Sequence, residues 1–142
     1  MTRQGSARWE GALRDGKGTL TTESGVLLKA PYSYPSRFET SPGTNPEELL
    51  AAAHAGCFTM ALAAQLGSSG VKPDSIYTTA TVTLEKQPSG YVISGVHLDV
   101  TARIPGVDPL LFERAAAQAK ATCPISTALK TKITLEARLS AM

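Results

Sequence analysis

The sequence predicts an α+β fold built from antiparallel sheets and one long central helix. Three observations carry this prediction. Two separate stretches read as β-hairpins, an apolar helix of more than twenty residues lies between them, and a helical segment precedes a final strand. A parallel α/β sheet is disfavoured because adjacent strands are joined by tight turns rather than by helices.

In chain order, residues 6–13 and 18–23 read as short strands joined by the polar turn Arg14-Asp15-Gly16-Lys17. A further strand is expected at 25–29, after Glu23-Ser24-Gly25. Residues 30–44 hold three prolines and two tyrosines among small polar residues, the composition of an ordered loop. A helix follows over 45–67. Asn45 is a favoured N-cap, Pro46 fits the first helical position, and Glu47 and Glu48 face the positive end of the dipole, with Glu48 placed for a capping box. Gly67 and Gly70 supply the stop. Residues 74–87 are β-branched and alternate in polarity, Pro88-Ser89-Gly90 turns the chain, and 91–104 returns as the partner strand. Pro105 to Pro109 lead into a helix over 109–121, a short helix follows at 124–130, and 133–139 closes as a strand.

The length of 142 residues suits a single domain spanning 1–142 that buries its core without staples. A hydrophobic share of 42% and a charged share of 18% are those of a globular chain, not a disordered one. The net charge of +2 comes from scattered basic residues with no basic run, which argues against nucleic acid as a partner. The N-terminus lacks the apolar core of a secretory signal. Residues 49–66 are Ala-rich and broken by His54, Gly56 and Gln65, so they read as a packed helix rather than a membrane span. The expected location is the cytoplasm, where a disulfide is more often transient than structural.

The chain has two cysteines. Cys57 lies in the middle of the long helix. Cys123 directly precedes Pro124, at a predicted helix start. One reading makes both small buried hydrophobes, with Cys57 inert because burial raises a thiol pKa. The other makes them a redox pair. The dipole argument alone renders Cys123 the more acidic sulfur. Arg37, flanked by Tyr32, Tyr34 and Phe38, is either an exposed loop residue or a guanidinium able to hold an anion or polarise a peroxide oxygen. Glu47 either serves the helix dipole or orients Arg37 through a bidentate pair. Glu47 and Cys57 are ten residues apart on one helix, about 15 Å along its axis and roughly 80° around it. If Arg37 and Glu47 serve Cys57, they therefore come from a second subunit, and the protein is a homodimer with two shared sites. His54, on an Ala-rich helix, reads as a packed core or interface residue, and His97 as exposed. Cysteine and histidine spacings do not fit a zinc site, and neither a phosphate-binding loop nor a nucleophile elbow is present.

These residues, taken together, resemble the OsmC/Ohr family of thiol-dependent peroxidases, and the OsmC branch within it. The likeness rests on Trp9-Glu10-Gly11, Gly16-Lys17-Gly18, Glu23 to Leu27, Arg37-Phe38-Glu39, Gly43 to Leu49, Ala53-His54-Ala55-Gly56-Cys57-Phe58 and Lys120 to Pro124, in order along nearly the whole chain. The resemblance implies an intertwined α+β homodimer with the site at the subunit interface. It also implies Cys57 as the peroxide-attacking cysteine, Cys123 as the resolving cysteine, and Arg37 and Glu47 as the pair that activates the thiolate. The implied cycle reduces organic hydroperoxides, and hydrogen peroxide more weakly, through a sulfenic acid and an intramolecular disulfide, with no metal, haem or flavin. An external thiol, which the family suggests is carried on lipoylated protein, restores the dithiol. Phe58, Met60 and Leu50 are compatible with an apolar substrate. Two other readings stand beside this one: a protein-disulfide oxidoreductase, and a non-enzymatic stress-induced binding protein.

Overall fold

In the first hairpin, Gly18 leaves room for the chain's only tryptophan. A Cβ at Gly18 would sit 2.5 Å from Tyr32 Cε1 and 2.6 Å from Trp9 Cε3, so only glycine lets these rings meet edge to face at 5.5 Å. This packing belongs to the first of two compact units, Met1–Leu49 and Leu50–Met142, of a computed structural model that describes residues 1–140. The first unit contains strands β1 (Gly5–Glu10), β2 (Lys17–Thr22) and β3 (Ala30–Tyr32), which form an antiparallel sheet in that order.

The strand expected at 25–29 is absent. The Leu27 and Lys29 amides take the hydroxyls of Thr22 and Thr21, at 3.1 and 3.0 Å, in place of a strand partner. Lys29 then adopts φ +51°, a left-handed kink that turns the chain into β3. The ordered loop expected at 30–44 instead contains regular structure, for it holds both β3 and helix α1 (Tyr34–Phe38). Ser33 and Ser36 cap α1 reciprocally: each hydroxyl accepts the other's backbone N–H, at 3.2 and 2.8 Å.

The long helix α2 (Pro46–Ser68) begins as expected, with Asn45 Oδ1 accepting the Glu48 N–H at 2.8 Å. The Glu48 carboxylate does not close the capping box; it accepts the Thr44 hydroxyl at 2.7 Å. The helix ends at Ser68, and Gly70 supplies the φ of +74° that lets Val71 N–H return to the Leu66 carbonyl.

The second unit holds most of α2, then β4 (Ser75–Gln87), β5 (Gly90–Arg103), α3 (Pro109–Thr122), α4 (Pro124–Ala128) and β6 (Lys132–Leu139). β4 and β5 form the predicted antiparallel hairpin, with an irregularity at Thr83/Leu84. The expectation of antiparallel sheets throughout fails at β6, which runs parallel to β5, from Gly95↔Lys132 to Ala102↔Leu139. Helices α3 and α4 form the crossover between these strands, and a helical crossover can return the chain to its starting end as a hairpin cannot. Alternate residues of β5 (Val96, Leu98, Val100 and Ala102) are buried against Phe58, Leu62 and Leu66 of α2 and Phe112 and Ala116 of α3. Full burial of a side chain such as Phe58 contributes about 1.5–3 kcal/mol. A hydrogen bond of 2.7 Å from Thr59 Oγ1 to Thr78 Oγ1 clips α2 to β4.

Candidate active site

In the first unit, the reciprocal cap of α1 fixes Arg37. Ser36 is buried and donates from Oγ to the Thr44 carbonyl at 2.9 Å, while Asn45 Nδ2 donates to the Ser36 carbonyl at 3.3 Å. These bonds tie α1 to the start of α2, so Arg37 Nε donates to Glu47 Oε1 at 2.8 Å. The pair is not the bidentate fork expected from sequence, because Glu47 Oε2 is buried without a hydrogen-bond partner among the described residues. Arg37 is 39% exposed and Glu47 13%, and the guanidinium also lies 5.1 Å from the centre of the Phe38 ring. Beside it, Trp9, Leu13, Tyr32, Tyr34 and Phe38 line a cavity of about 420 Å³.

The second unit holds the two sulfurs. Cys57 projects from mid-helix and is half-buried; Cys123, between α3 and α4, is fully buried. Their Sγ atoms are 2.8 Å apart across 66 residues of sequence. Both are free thiols, and closure to a disulfide requires an approach of about 0.8 Å. Burial pushes the Cys57 thiol up; its contact with Cys123 adds to the rise, and a backbone hydrogen bond from Ile125 offsets part of it. Burial acts against ionisation of Cys123 too, but the neighbouring Cys57 thiol and the polar groups of Ser126 and Ile125 outweigh it and bring Cys123 below its ordinary range. Of the two coupled thiols, Cys123 is therefore the more readily ionised, and the proton they share is favoured on Cys57. This matches the order that the dipole argument predicted, and it leaves Cys57 in need of a further cation to become a nucleophile.

His54, one turn before Cys57, is fully buried as the sequence suggested, and burial keeps it neutral. Its partner was not foreseen: Nε2 lies 2.7 Å from Ser126 Oγ, while Nδ1 has no partner among the described residues. The only local signal is a serine three residues after Cys123. Phe58 belongs to the core and offers nothing to a substrate, whereas Met60 is 76% exposed. His97 is only partly exposed and bonds Thr134 Oγ1 at 2.6 Å. With Asp99 and Glu136 it forms a cluster of metal-ligand types that the sequence did not suggest. Arg138 pairs with both carboxylates, at 2.6 and 3.2 Å, and no metal is assigned there.

Glu47 and Cys57 stand ten residues apart on α2, as the helix prediction required. The structure thus brings together Arg37 with Glu47, and Cys57 with Cys123.

The chain is similar to several known proteins. The family described as OsmC-like protein matches residues 39–138. Peroxiredoxin OsmC of Escherichia coli (strain K12) is 49% identical over 137 residues, covering 96% of each chain. An organic hydroperoxide resistance protein of Xanthomonas axonopodis pv. citri is 30% identical over 92 residues, 64% of this chain and 63% of its own. The crystal structure of the organic hydroperoxide resistance protein OhrB of Bacillus subtilis superposes with a TM-score of 0.72 at 25% identity, covering 99% of this chain and 98% of its own. On this sequence match and this shared fold, the chain is a member of the OsmC family.

Proposed function

We propose that this protein is a thiol-dependent peroxidase that reduces organic hydroperoxides to alcohols through a two-cysteine cycle, with residues 1–142 acting as a single OsmC-like domain. The observation that carries the reading is the 2.8 Å approach of two free thiols, one of them partly open to solvent and the other sealed. Relatives named for peroxiredoxin activity and organic hydroperoxide resistance support it.

Access assigns the roles. A hydroperoxide reaches only Cys57, whose thiolate attacks the nearer peroxide oxygen. The O–O bond breaks, the alkoxide leaves and takes up a proton as alcohol, and Cys57 becomes a sulfenic acid. Cys123 then displaces hydroxide from Cys57, the S–S bond forms, and the hydroxide leaves as water with the proton given up by Cys123. An external dithiol, such as one carried on lipoylated protein, returns the pair to thiols.

A thiol raised by burial is a poor nucleophile, so a guanidinium beside Cys57 is required, and Arg37, held by Glu47, is the residue proposed to supply it. The separation along α2 makes Arg37 and Glu47 the contribution of a second copy in a homodimer. The exposed face of α2 fits such a partner: Ala53, Gly56, Met60, Ala63, Ala64 and Gly67 form one stripe of small and apolar residues. The aromatic cavity beside Arg37 suits the organic portion of a hydroperoxide. The cytoplasm remains the proposed location.

Anaerobic titration of the reduced protein with one equivalent of cumene hydroperoxide tests the reading. Loss of two thiols per chain, with Cys57→Ser inert, is expected. Turnover by Cys57→Ser, or thiols that survive the peroxide, refutes it.

A further inference from the structure

Glu47 alone does not hold Arg37 in place. The pair is a single contact, Arg37 Nε to Glu47 Oε1 at 2.8 Å, and the arginine side chain is 39% exposed. An ion pair that open to water does little to fix two long side chains. The position of the guanidinium must therefore be set by the backbone that carries it, and the residue before Arg37 is where that backbone is anchored.

Ser36 is a buried polar residue, which is tolerated only where its groups are bonded. Its Oγ accepts the Ser33 N–H at 2.8 Å and holds its one proton within reach of two carbonyls, Thr44 at 2.9 Å and Ser33 at 3.1 Å. The Ser36 N–H donates to Ser33 Oγ at 3.2 Å, and the Ser36 carbonyl accepts Asn45 Nδ2 at 3.3 Å. The same Asn45 side chain caps α2 through the Glu48 N–H. Thr44 N–H donates to the Pro31 carbonyl at 2.8 Å, which brings in β3. Ser36 is thus the node at which β3, α1 and the start of α2 are joined. Gly43 permits the closure: it has φ +119°, and a Cβ there would lie 2.9 Å from the Pro31 oxygen and 3.3 Å from Ser36 Cβ. Arg37 itself donates its N–H to the Ser33 carbonyl at 3.1 Å.

We propose that Ser36 is a positioning residue for Arg37 in peroxide reduction. Its bracket of hydrogen bonds sets where the guanidinium stands, and Glu47 sets only which edge it turns. Because Glu47 takes Nε, neither Nη group makes a hydrogen bond among the described residues. Those two groups form the edge that meets the anion at the Cys57 of the second copy. Ser36 touches neither sulfur nor peroxide and acts only through Arg37. Without its hydroxyl, the Ser33 N–H loses an acceptor and the Thr44 carbonyl a donor, and α1, five residues long, cannot hold itself.

The inference rests on the proposed attack by Cys57 with Arg37 beside it, so the test is a double-mutant cycle on the full chain. Cys57 oxidation by cumene hydroperoxide is followed by stopped flow in the parent, Ser36→Ala, Arg37→Gln and the double variant. Ser36→Ala slows the step about tenfold, since small misplacements of a charged group cost rate steeply. In the Arg37→Gln background the same change costs less than twofold, because no guanidinium remains to be placed. Site-resolved alkylation of Cys57 against pH gives a second readout: its midpoint moves to higher pH in Ser36→Ala, as a cation withdrawn from a thiolate requires. Ser33→Ala, which removes only the acceptor of the Ser36 N–H, shows a smaller effect in the same direction and decides the matter if Ser36→Ala does not fold. An equal slowing by Ser36→Ala in both backgrounds, or a rate within twofold of the parent, overturns the positioning role and spares the peroxidase cycle. Parent-like oxidation in Arg37→Gln overturns the role of Arg37 and this inference with it, and a parent whose Cys57 is not oxidised overturns the cycle as well.

Discussion

Oxidation should make this protein harder to unfold, by an amount that the chain itself sets. The sulfurs of Cys57 and Cys123 lie 2.8 Å apart in the reduced fold, so a disulfide forms with little rearrangement. It closes a loop whose ends are 66 residues apart, and constraining such a loop in the denatured chain is worth about 4 kcal/mol at 25 °C. For a chain of 142 residues, each kcal/mol moves Tm by about 3–4 °C. The ceiling is therefore about 15 °C, and a rise of about 10 °C is expected, because the folded state must still absorb the final approach of the two sulfurs. The assay is thermal unfolding followed by circular dichroism, at fixed protein concentration. Anaerobically reduced protein is compared with protein oxidised by one equivalent of hydroperoxide, and Cys57→Ser treated in the same way is the control. Two thiols lost per chain with no rise in Tm would refute the reasoning, since the bond would then distort the fold it joins. The same rise in Cys57→Ser would trace it to another oxidation.

Four other outcomes are expected. Cys123→Ser should accumulate sulfenic acid at Cys57 and lose activity over successive turnovers by over-oxidation, read by mass spectrometry. Arg37→Lys should slow Cys57 oxidation about tenfold or more, because an ammonium cannot reproduce the guanidinium fork, while Glu47→Gln, removing a partly exposed pair, should cost only about two- to fivefold in the same stopped-flow assay. In Cys57→Ala, Cys123 loses the thiol that hydrogen-bonds its thiolate, so the ultraviolet titration of Cys123 should move to higher pH; an unchanged or lower midpoint counts against the shared proton. Phe58→Ala should cost about 3–5 kcal/mol in denaturant unfolding, from the cavity left in the core of the second unit.

What the sequence revealed follows from the range of the interactions involved. The boundaries of α2 were legible because Asn45, Pro46 and Gly70 act within a turn of where they stand. The β4–β5 hairpin was legible because alternation and a tight turn are local too. The 25–29 segment misled because its β-like composition is overruled by the hydroxyls of Thr21 and Thr22, which capture amides that a strand would need. α1 escaped notice because its reciprocal serine cap lies in a segment whose prolines read as loop. The direction of β6 depends on the path of α3 and α4, which no residue of β6 encodes. At the candidate site, the nomination of Arg37 and Glu47 as partners came from residue chemistry, but the single-contact geometry did not. The meeting of Cys57 and Cys123 spans 66 residues and had no local signature beyond the Cys-Pro start of α4; the family likeness supplied it.

The complete burial of Cys123 has a consequence for how the oxidised protein is recharged. In the proposed cycle, a reductant approaching the disulfide would find one sulfur within reach, so the mixed disulfide it forms would be on Cys57, with Cys123 as the departing thiolate. A thiolate of lowered pKa is a good leaving group, which favours rapid entry into that adduct. The direction of electron delivery is thus built into the depth of one side chain. In Cys123→Ser the internal thiol that could reverse the adduct is missing, and a monothiol donor would stay covalently attached at Cys57 until a second thiol arrived.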